Sequence, residues 1–372
     1  SLKLKELKEM YKNKQDIDLL RKTENEHLLK FLIKQGETEF PELAKSENLK
    51  IRTLLAENGL QLEDLKDDEN YYVRELVASK GYNLENYIND ESQEVRTEVA
   101  RQGYGLNKLI DDKSWFVRYE VANHGYGLEK LINDENDKVR SIVARNGYGL
   151  DILVDDKSPE VRQEVARQGY GLHKLLDDEN EYVRLEVARN RYGFGKLVND
   201  KSDLVRAVVA VNGYGLNKLI DDKNDFVRKA VAKQGYGLDK LIHDKSRFVR
   251  EEVAKQGYGL DKLVEDVNWV VREEVAKQGY GLDKLIKDDS PKIRVEVAKH
   301  GYGLDKLIND ENPYVRKAVA EQGYGVDKLI NDPDSNVRRA LAYKGYHLDI
   351  LENDEDPYVR MLARQSKERN KR

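Results

Sequence analysis

The chain has 372 residues, of which 36% are charged and 39% hydrophobic, with a formal net charge of −5. That composition is too rich in Leu, Val and Ile for disorder, yet polar enough that much of the chain must face water. Cysteine is absent, which excludes disulfides, thiolate metal sites and cysteine nucleophiles together and suits a reducing, cytoplasmic compartment. No run approaches the roughly 18 apolar residues that span a bilayer, and the amino-terminal stretch lacks the apolar core of a signal peptide, so no membrane association is expected.

Residues 1-36 carry nine basic and six acidic groups and residues 364-372 five and one, which leaves −12 for residues 37-363. A surface of that sign does not resemble a phosphate-binding groove, although a local basic stripe can exist within it. Leu2, Leu4, Leu7, Leu19, Leu20, Leu28, Leu29 and Leu32 predict two or three helices over residues 1-36, placed to cover the first of the repeats beyond them.

From Gly59 the chain repeats every 22 residues, giving fourteen consecutive copies through Ser366, of which Gly301 to Gln322, GYGLDKLINDENPYVRKAVAEQ, is typical. Such a period decides the fold. An eroded fifteenth copy at 37-58 keeps Phe40, Leu43, Ile51, Arg52, Leu55 and Ala56 in register.

Within each copy the twelfth position is Ser, Asn or Asp and the thirteenth is Pro in Pro159, Pro291, Pro313 and Pro357, the signature of a helix start. The twelfth side chain is expected to accept an orphan amide hydrogen bond of the first turn. A helix of about ten residues should come next, ended by the Gly that opens the next copy; only Arg191 breaks that column. The Leu-x-x-Leu-Ile segment between the glycines and the tenth-position Asp predicts a clipped α-helix or a 3₁₀ turn.

Valines at the fifteenth and nineteenth positions, such as Val227 and Val231, share one helix face at i, i+4 spacing, and the following Ala admits close approach. One copy cannot bury that face, but stacking can. The prediction is an all-α, right-handed α-solenoid of about fourteen to fifteen repeats, with a contour of roughly 110 to 140 Å at 8 to 10 Å per step. The last copy loses one residue near Met361, and the basic tail, residues 367-372 and the three before them, is expected to be disordered.

The pattern Leu-x-x-Leu-(Ile/Val)-x-Asp-x-x-x-x-Val-Arg-x-x-Val-Ala, as in Leu260 to Ala276 or Leu304 to Ala320, resembles HEAT-like repeats and in particular the bacterial leucine-rich-repeat variant. The resemblance covers residues 59-366. Twenty-two residues is shorter than in either relative, so the first helix should be reduced. It implies a binding scaffold, with some relatives acting on nucleic acid, and does not choose a ligand.

Asp at the tenth and Arg at the sixteenth position occur in all fourteen copies, including Asp200, Arg206, Asp222, Arg228, Asp244 and Arg250. They read as structural pairs, a partly buried guanidinium with a carboxylate that also holds the turn, rather than as a ligand ladder, because an active site is singular and these columns are not. The tyrosines of the second position, Tyr82 to Tyr346, read as packing elements between repeats rather than base-stacking platforms. The six histidines are scattered without metal-site spacing, and doublets such as Asp111-Asp112, Asp177-Asp178 and Asp221-Asp222 lack the rest of a calcium loop. No catalytic constellation, cofactor or metal is indicated, and the reading is non-enzymatic.

Helical-wheel angles place the fourteenth, seventeenth and twenty-first positions away from the valine face. That stripe is polar at Lys138, Ser141 and Arg145 and at Glu160, Gln163 and Arg167, then turns apolar through Tyr182, Leu185, Leu204, Ala207, Val211, Phe226, Phe248 and Val270, with Trp269 beside it. Two readings stay open: a partner-binding patch, or side chains that lean toward the next helix and thicken the core. The leading function is protein-protein interaction along the face of the longer helices by a monomer. The alternative is a nucleic-acid-binding HEAT-like protein, motivated by Arg101, Arg145, Arg167, Arg189, Lys233, Lys255, Lys277 and Lys299. Glu98, Glu164, Glu186, Glu252, Glu274 and Glu296 offset most of those cations at i, i+3 spacing, as on a solvated face.

Overall fold

The computed structural model describes residues 2-371, and every regular element among them is helical: 32 α-helices and one 3₁₀ turn. None of these helices is long and apolar enough to cross a membrane. The repeat is resolved into its two parts. A four-residue α-helix occupies the fourth to seventh positions, as in Leu238–Leu241, and a nine-residue α-helix the thirteenth to twenty-first, as in Arg247–Lys255. Packing divides the chain into two compact units, residues 1-192 and 193-372.

The first unit opens with three helices, Leu4–Lys12, Ile17–Lys22 and Glu26–Lys34. They bury Leu20, Leu28, Leu29 and Leu32 completely but leave Leu2 and Leu19 exposed. Arg21 holds this end by donating from Nε and Nη2 to Glu37 at 2.9 and 2.5 Å. The eroded copy comes next as the 3₁₀ turn Leu43–Lys45 and the helix Leu49–Glu57, with Phe40, Leu43, Ile51 and Leu55 fully buried. Six regular copies complete the unit. Each long helix packs on the next, Gln93–Arg101 on Trp115–Asn123 and Pro159–Arg167 on Glu181–Arg189 among them.

The second unit repeats the scheme from Phe194–Leu197 to Pro357–Arg369. Its core is the column of fifteenth- and nineteenth-position side chains, Val227, Val231, Val249 and Val253 for example, with Ala232 and Ala254 where neighbouring helices close. The short helices add Leu219, Leu241 and Leu263 from below. Four residues do not make a stable helix alone, so these segments owe their order to that leucine.

Turn geometry explains the glycine columns. At the third position Gly171 has φ +62, and a Cβ there would come within 2.7 Å of Val154 Cγ2 in the preceding copy, so both backbone and packing demand glycine. The first position is also left-handed. Arg191 adopts φ +60 there without a glycine's freedom and carries the strain.

Two expectations need correction. Serine at the twelfth position does not generally cap its own helix: Ser158 and Ser246 lack that bond. Their hydroxyls donate to Asp137 at 2.9 Å and Asp225 at 2.7 Å, one copy back. Asparagine and aspartate cap there, as Asn224 does for the Phe226 amide at 2.8 Å and Asp356 for the Tyr358 amide at 2.9 Å, and Ser92 is a serine that also caps. The tail is also ordered through Arg369, because Lys367 reaches Asp349 at 2.8 Å and Glu352 at 2.7 Å and the buried Ser366 hydroxyl donates to the Ala342 carbonyl at 2.7 Å. Of that tail, Arg372 lies outside the described residues.

Candidate functional site

The Asp/Arg columns form an inter-repeat clamp. Arg228, 6% exposed, donates from Nε and Nη2 to the two carboxylate oxygens of Asp244 at 2.7 and 2.9 Å, and from Nη1 to the Asp222 carbonyl at 2.7 Å. Each arginine thus joins the carboxylate of the next copy to the backbone of its own, and Arg206 repeats this with Asp222 and Asp200. Asp244 Oδ1 also accepts the Ser246 amide at 2.8 Å, which fixes the turn before the helix. Burial pushes the Asp244 carboxyl up, but Arg228 and the Ser246 amide more than reverse this and leave it below the usual carboxylate value. Every donor of the buried guanidinium edge is engaged, so Asp200, Arg206, Asp222, Arg228, Asp244 and Arg250 hold the structure.

The acid doublets dissolve into the same scheme. Asp111 takes Lys130 at 2.5 Å while Asp112 takes Arg96 at 2.7 Å. His124 and His300 meet backbone carbonyls at 2.8 and 3.0 Å. No group of three or more metal-ligating side chains is assembled among the described residues.

The second charge column was expected on a solvated face, and its burial escaped the sequence reading. Glu98, Glu164, Glu186 and Glu252 of the eighteenth position are buried, not solvated. In the first unit they interleave with arginines of the twenty-first position: Arg167 reaches Glu164 at 2.6 Å and Glu186 at 3.0 Å, and Arg189 meets Glu186 at 2.8 Å. Arg101, Arg145, Arg167 and Arg189, four of the eight cations that motivated a nucleic-acid reading, are therefore committed to buried carboxylates. Helix spacing showed the i, i+3 pair, but the bond to the neighbouring copy, which dries the acid, is invisible to it. Where pairing thins, burial dominates and the Glu274 carboxyl is raised despite Lys277 and Lys255.

Fourteenth-position side chains prove to be surface. In the second unit Leu204 is 46%, Phe226 60% and Phe248 36% exposed, and Val211 of the twenty-first position is 53% exposed. Phe226 and Phe248 stack with centroids 6.0 Å apart and planes at 21°. Trp269 is exposed beneath the Lys292 ammonium, 4.7 Å from its ring, and Val270 is half-buried. Tyr182 is exposed on the first unit.

Leu185 must be removed from the candidate patch, since it is only 8% exposed. The seventeenth position lies on the flank of the helix rather than its crest, and Glu75, Tyr119, Gln163 and Glu251 are half-buried there as well. The tyrosines of the second position are mostly exposed rather than packed, as at Tyr236 and Tyr258.

The apolar stretch coincides with a break in the glutamate column, where Val208 and Ala230 replace it. In the two copies 191-212 and 213-234, the only charged groups at the fourteenth, seventeenth, eighteenth and twenty-first positions are Lys229 and Lys233. The column breaks again at Ala318 and Ala340. There a groove of about 400 Å³ opens between Lys317, Glu321, Arg339, Tyr343 and Tyr358. Arg339 lies 4.8 Å over the Tyr358 ring and donates to Asp356 at 2.9 Å, leaving its buried Nε without a partner. The departure of Tyr343 from the mostly Arg or Lys column of the twenty-first position was the sequence signal for this groove.

Compared with protein-family models and with curated proteins, the chain matches none.

Proposed function

We propose that the protein is a non-enzymatic repeat scaffold, HEAT-like in kind, that binds a protein partner on the outward face of its longer helices. The observation that carries this reading is the exposed cluster of Leu204, Val211, Phe226 and Phe248 on one unit. Apolar side chains that a fold does not bury and does not need are characteristic of interaction surfaces. The titratable groups support the same reading, because they recur in every copy as structural pairs and none converges into a singular acid, base and nucleophile.

The nucleic-acid alternative is weakened by the buried glutamates, which neutralise the arginines of the twenty-first position. The test uses the intact chain and a Phe226→Ser/Phe248→Ser variant as paired baits in cells that produce the protein. A protein retained by the intact chain at elevated salt and lost with the variant supports the proposal. DNA or RNA binding that collapses between about 50 and 200 mM salt and ignores the two phenylalanines would overturn it.

A further inference from the structure

We infer that the surface between Leu204 and Phe226 receives an acidic amphipathic helix, whose apolar stripe covers the window and whose carboxylates pair with Lys229 and Lys233. The inference rests on the docking reading above and adds the chemistry of the partner.

Elsewhere on the outward face, cations are answered from within. Arg167 and Arg189 have buried glutamates, and Lys255 meets Glu251 at 2.7 Å. Lys233 stands at the same repeat position as those arginines, but its own copy supplies Ala230 in place of the acid. Among the described residues neither Lys229 nor Lys233 has a carboxylate at ion-pair distance. Ala230 is itself buried, 8% exposed, and leaves Lys233 no carboxylate within its own copy at that position.

Two unanswered ammonium groups on an otherwise apolar window select for an anion that arrives with apolar groups. Covering the window would dry the lysines, and a dried pair is stronger and more selective than a pair in water. A basic segment would instead set like charges against Lys229 and Lys233. Nucleic acid fits poorly, because two lysines neutralise few phosphates and the remaining groups are apolar. The dimensions suit a helix: two repeats at about 8 to 10 Å each match about 12 residues at 1.5 Å per residue. Ala207 and Ala230 are small enough to admit its side chains between the ridges of Leu204 and Phe226.

The test uses two synthetic peptides of about 14 residues with the same Leu and Phe stripe, one flanked by glutamates and the other by lysines. Their binding to the full chain is read by fluorescence anisotropy, with circular dichroism confirming that every variant folds. The acidic peptide should bind about tenfold more tightly than the basic one, with the gap narrowing as salt rises. Lys229→Glu/Lys233→Glu should reverse that preference, and Leu204→Ser/Phe226→Ser should weaken both peptides. If charge reversal leaves the preference unmoved while the serine variant still weakens both, the acidic partner is wrong and the docking surface stands. If the serine variant changes neither peptide, or neither binds, the docking surface falls with it. A single-stranded oligonucleotide that outcompetes the acidic peptide and depends on the two lysines would also overturn the inference.

Discussion

Replacing Arg228 with alanine tests the clamp on which the whole array depends. The side chain makes three bonds of 2.7 to 2.9 Å, two to the Asp244 carboxylate and one to the Asp222 carbonyl. Truncation leaves Asp244, whose side chain is 8% exposed, with only the Ser246 amide to hold its charge. Breaking a buried pair by removing one partner costs about 3 to 5 kcal/mol. The lower end applies, because the cavity left by arginine can admit water to the carboxylate, and about 3 kcal/mol is expected.

Stability in a repeat array is nearly a sum of local terms. Urea unfolding followed by circular dichroism should therefore be paired with hydrogen exchange, which should localise the loss to copies 213-234 and 235-256. The double variant Arg228→Ala/Asp244→Ala leaves no orphaned charge and should be no less stable than the single one. A loss under about 1 kcal/mol, or a double variant worse by a full additive step, would refute the buried-clamp account.

Three further outcomes are expected from the geometry. Phe226→Glu/Phe248→Glu should change unfolding stability by no more than about 1 kcal/mol, the scale of the ring pair it removes, whereas core aromatics would cost roughly 3 to 5 kcal/mol each. Arg191→Gly should stabilise the first unit by about 1 kcal/mol by relieving a left-handed backbone, and an unchanged melting temperature would show that the arginine side chain compensates. Burial raises the Glu274 carboxyl in the folded state, so ionising it opposes folding, and its cost appears as pH rises through the folded value. Glu274→Gln should therefore stabilise the protein at neutral pH, with the advantage vanishing below the usual carboxylate value of 4.5. Denaturation midpoints measured across that range decide it.

The repeat was readable because a 22-residue period compounds weak signals. One Ser, Asn or Asp before an apolar run suggests a helix start, and fourteen in register leave no alternative. Valines at i, i+4 spacing named the core face correctly down to Val227 and Val231. What resisted reading depended on the neighbouring copy. Serine at the twelfth position looks like a cap locally, yet Ser246 directs its hydroxyl to Asp225 one repeat away. The third-position glycine looks like a turn residue, yet Gly171 also makes room for Val154 of the copy before. The tail looked solvated because its charges are many, and it is helical because Lys367 finds Asp349 and Glu352 across the final turn.

The candidate site shows the same limit from the other side. Wheel angles placed the fourteenth and seventeenth positions together, but a long helix flanked by two others has only a narrow crest in water. Phe226 stands on it and Leu185 does not. Angles also could not say that Glu164 and Glu186 lie in the seam between repeats, where a carboxylate needs an arginine from each side. On the docking reading proposed above, that seam decides which copies can offer groups to a partner. A copy with glutamate at the eighteenth position closes its own face by pairing, so its charges are withheld from a partner. A copy with alanine or valine there has no such acid: in the copy of Ala230 Lys229 and Lys233 stay unpaired among the described residues, whereas Lys317 turns to Glu321 and Arg339 to Asp356. The window around Leu204 and Phe226 and the groove beside Tyr343 and Tyr358 both sit where the internal acid is absent. Restoring it tests the rule directly. Ala230→Glu should pair with Lys233, leave the fold intact, and weaken any partner that the lysine recruits.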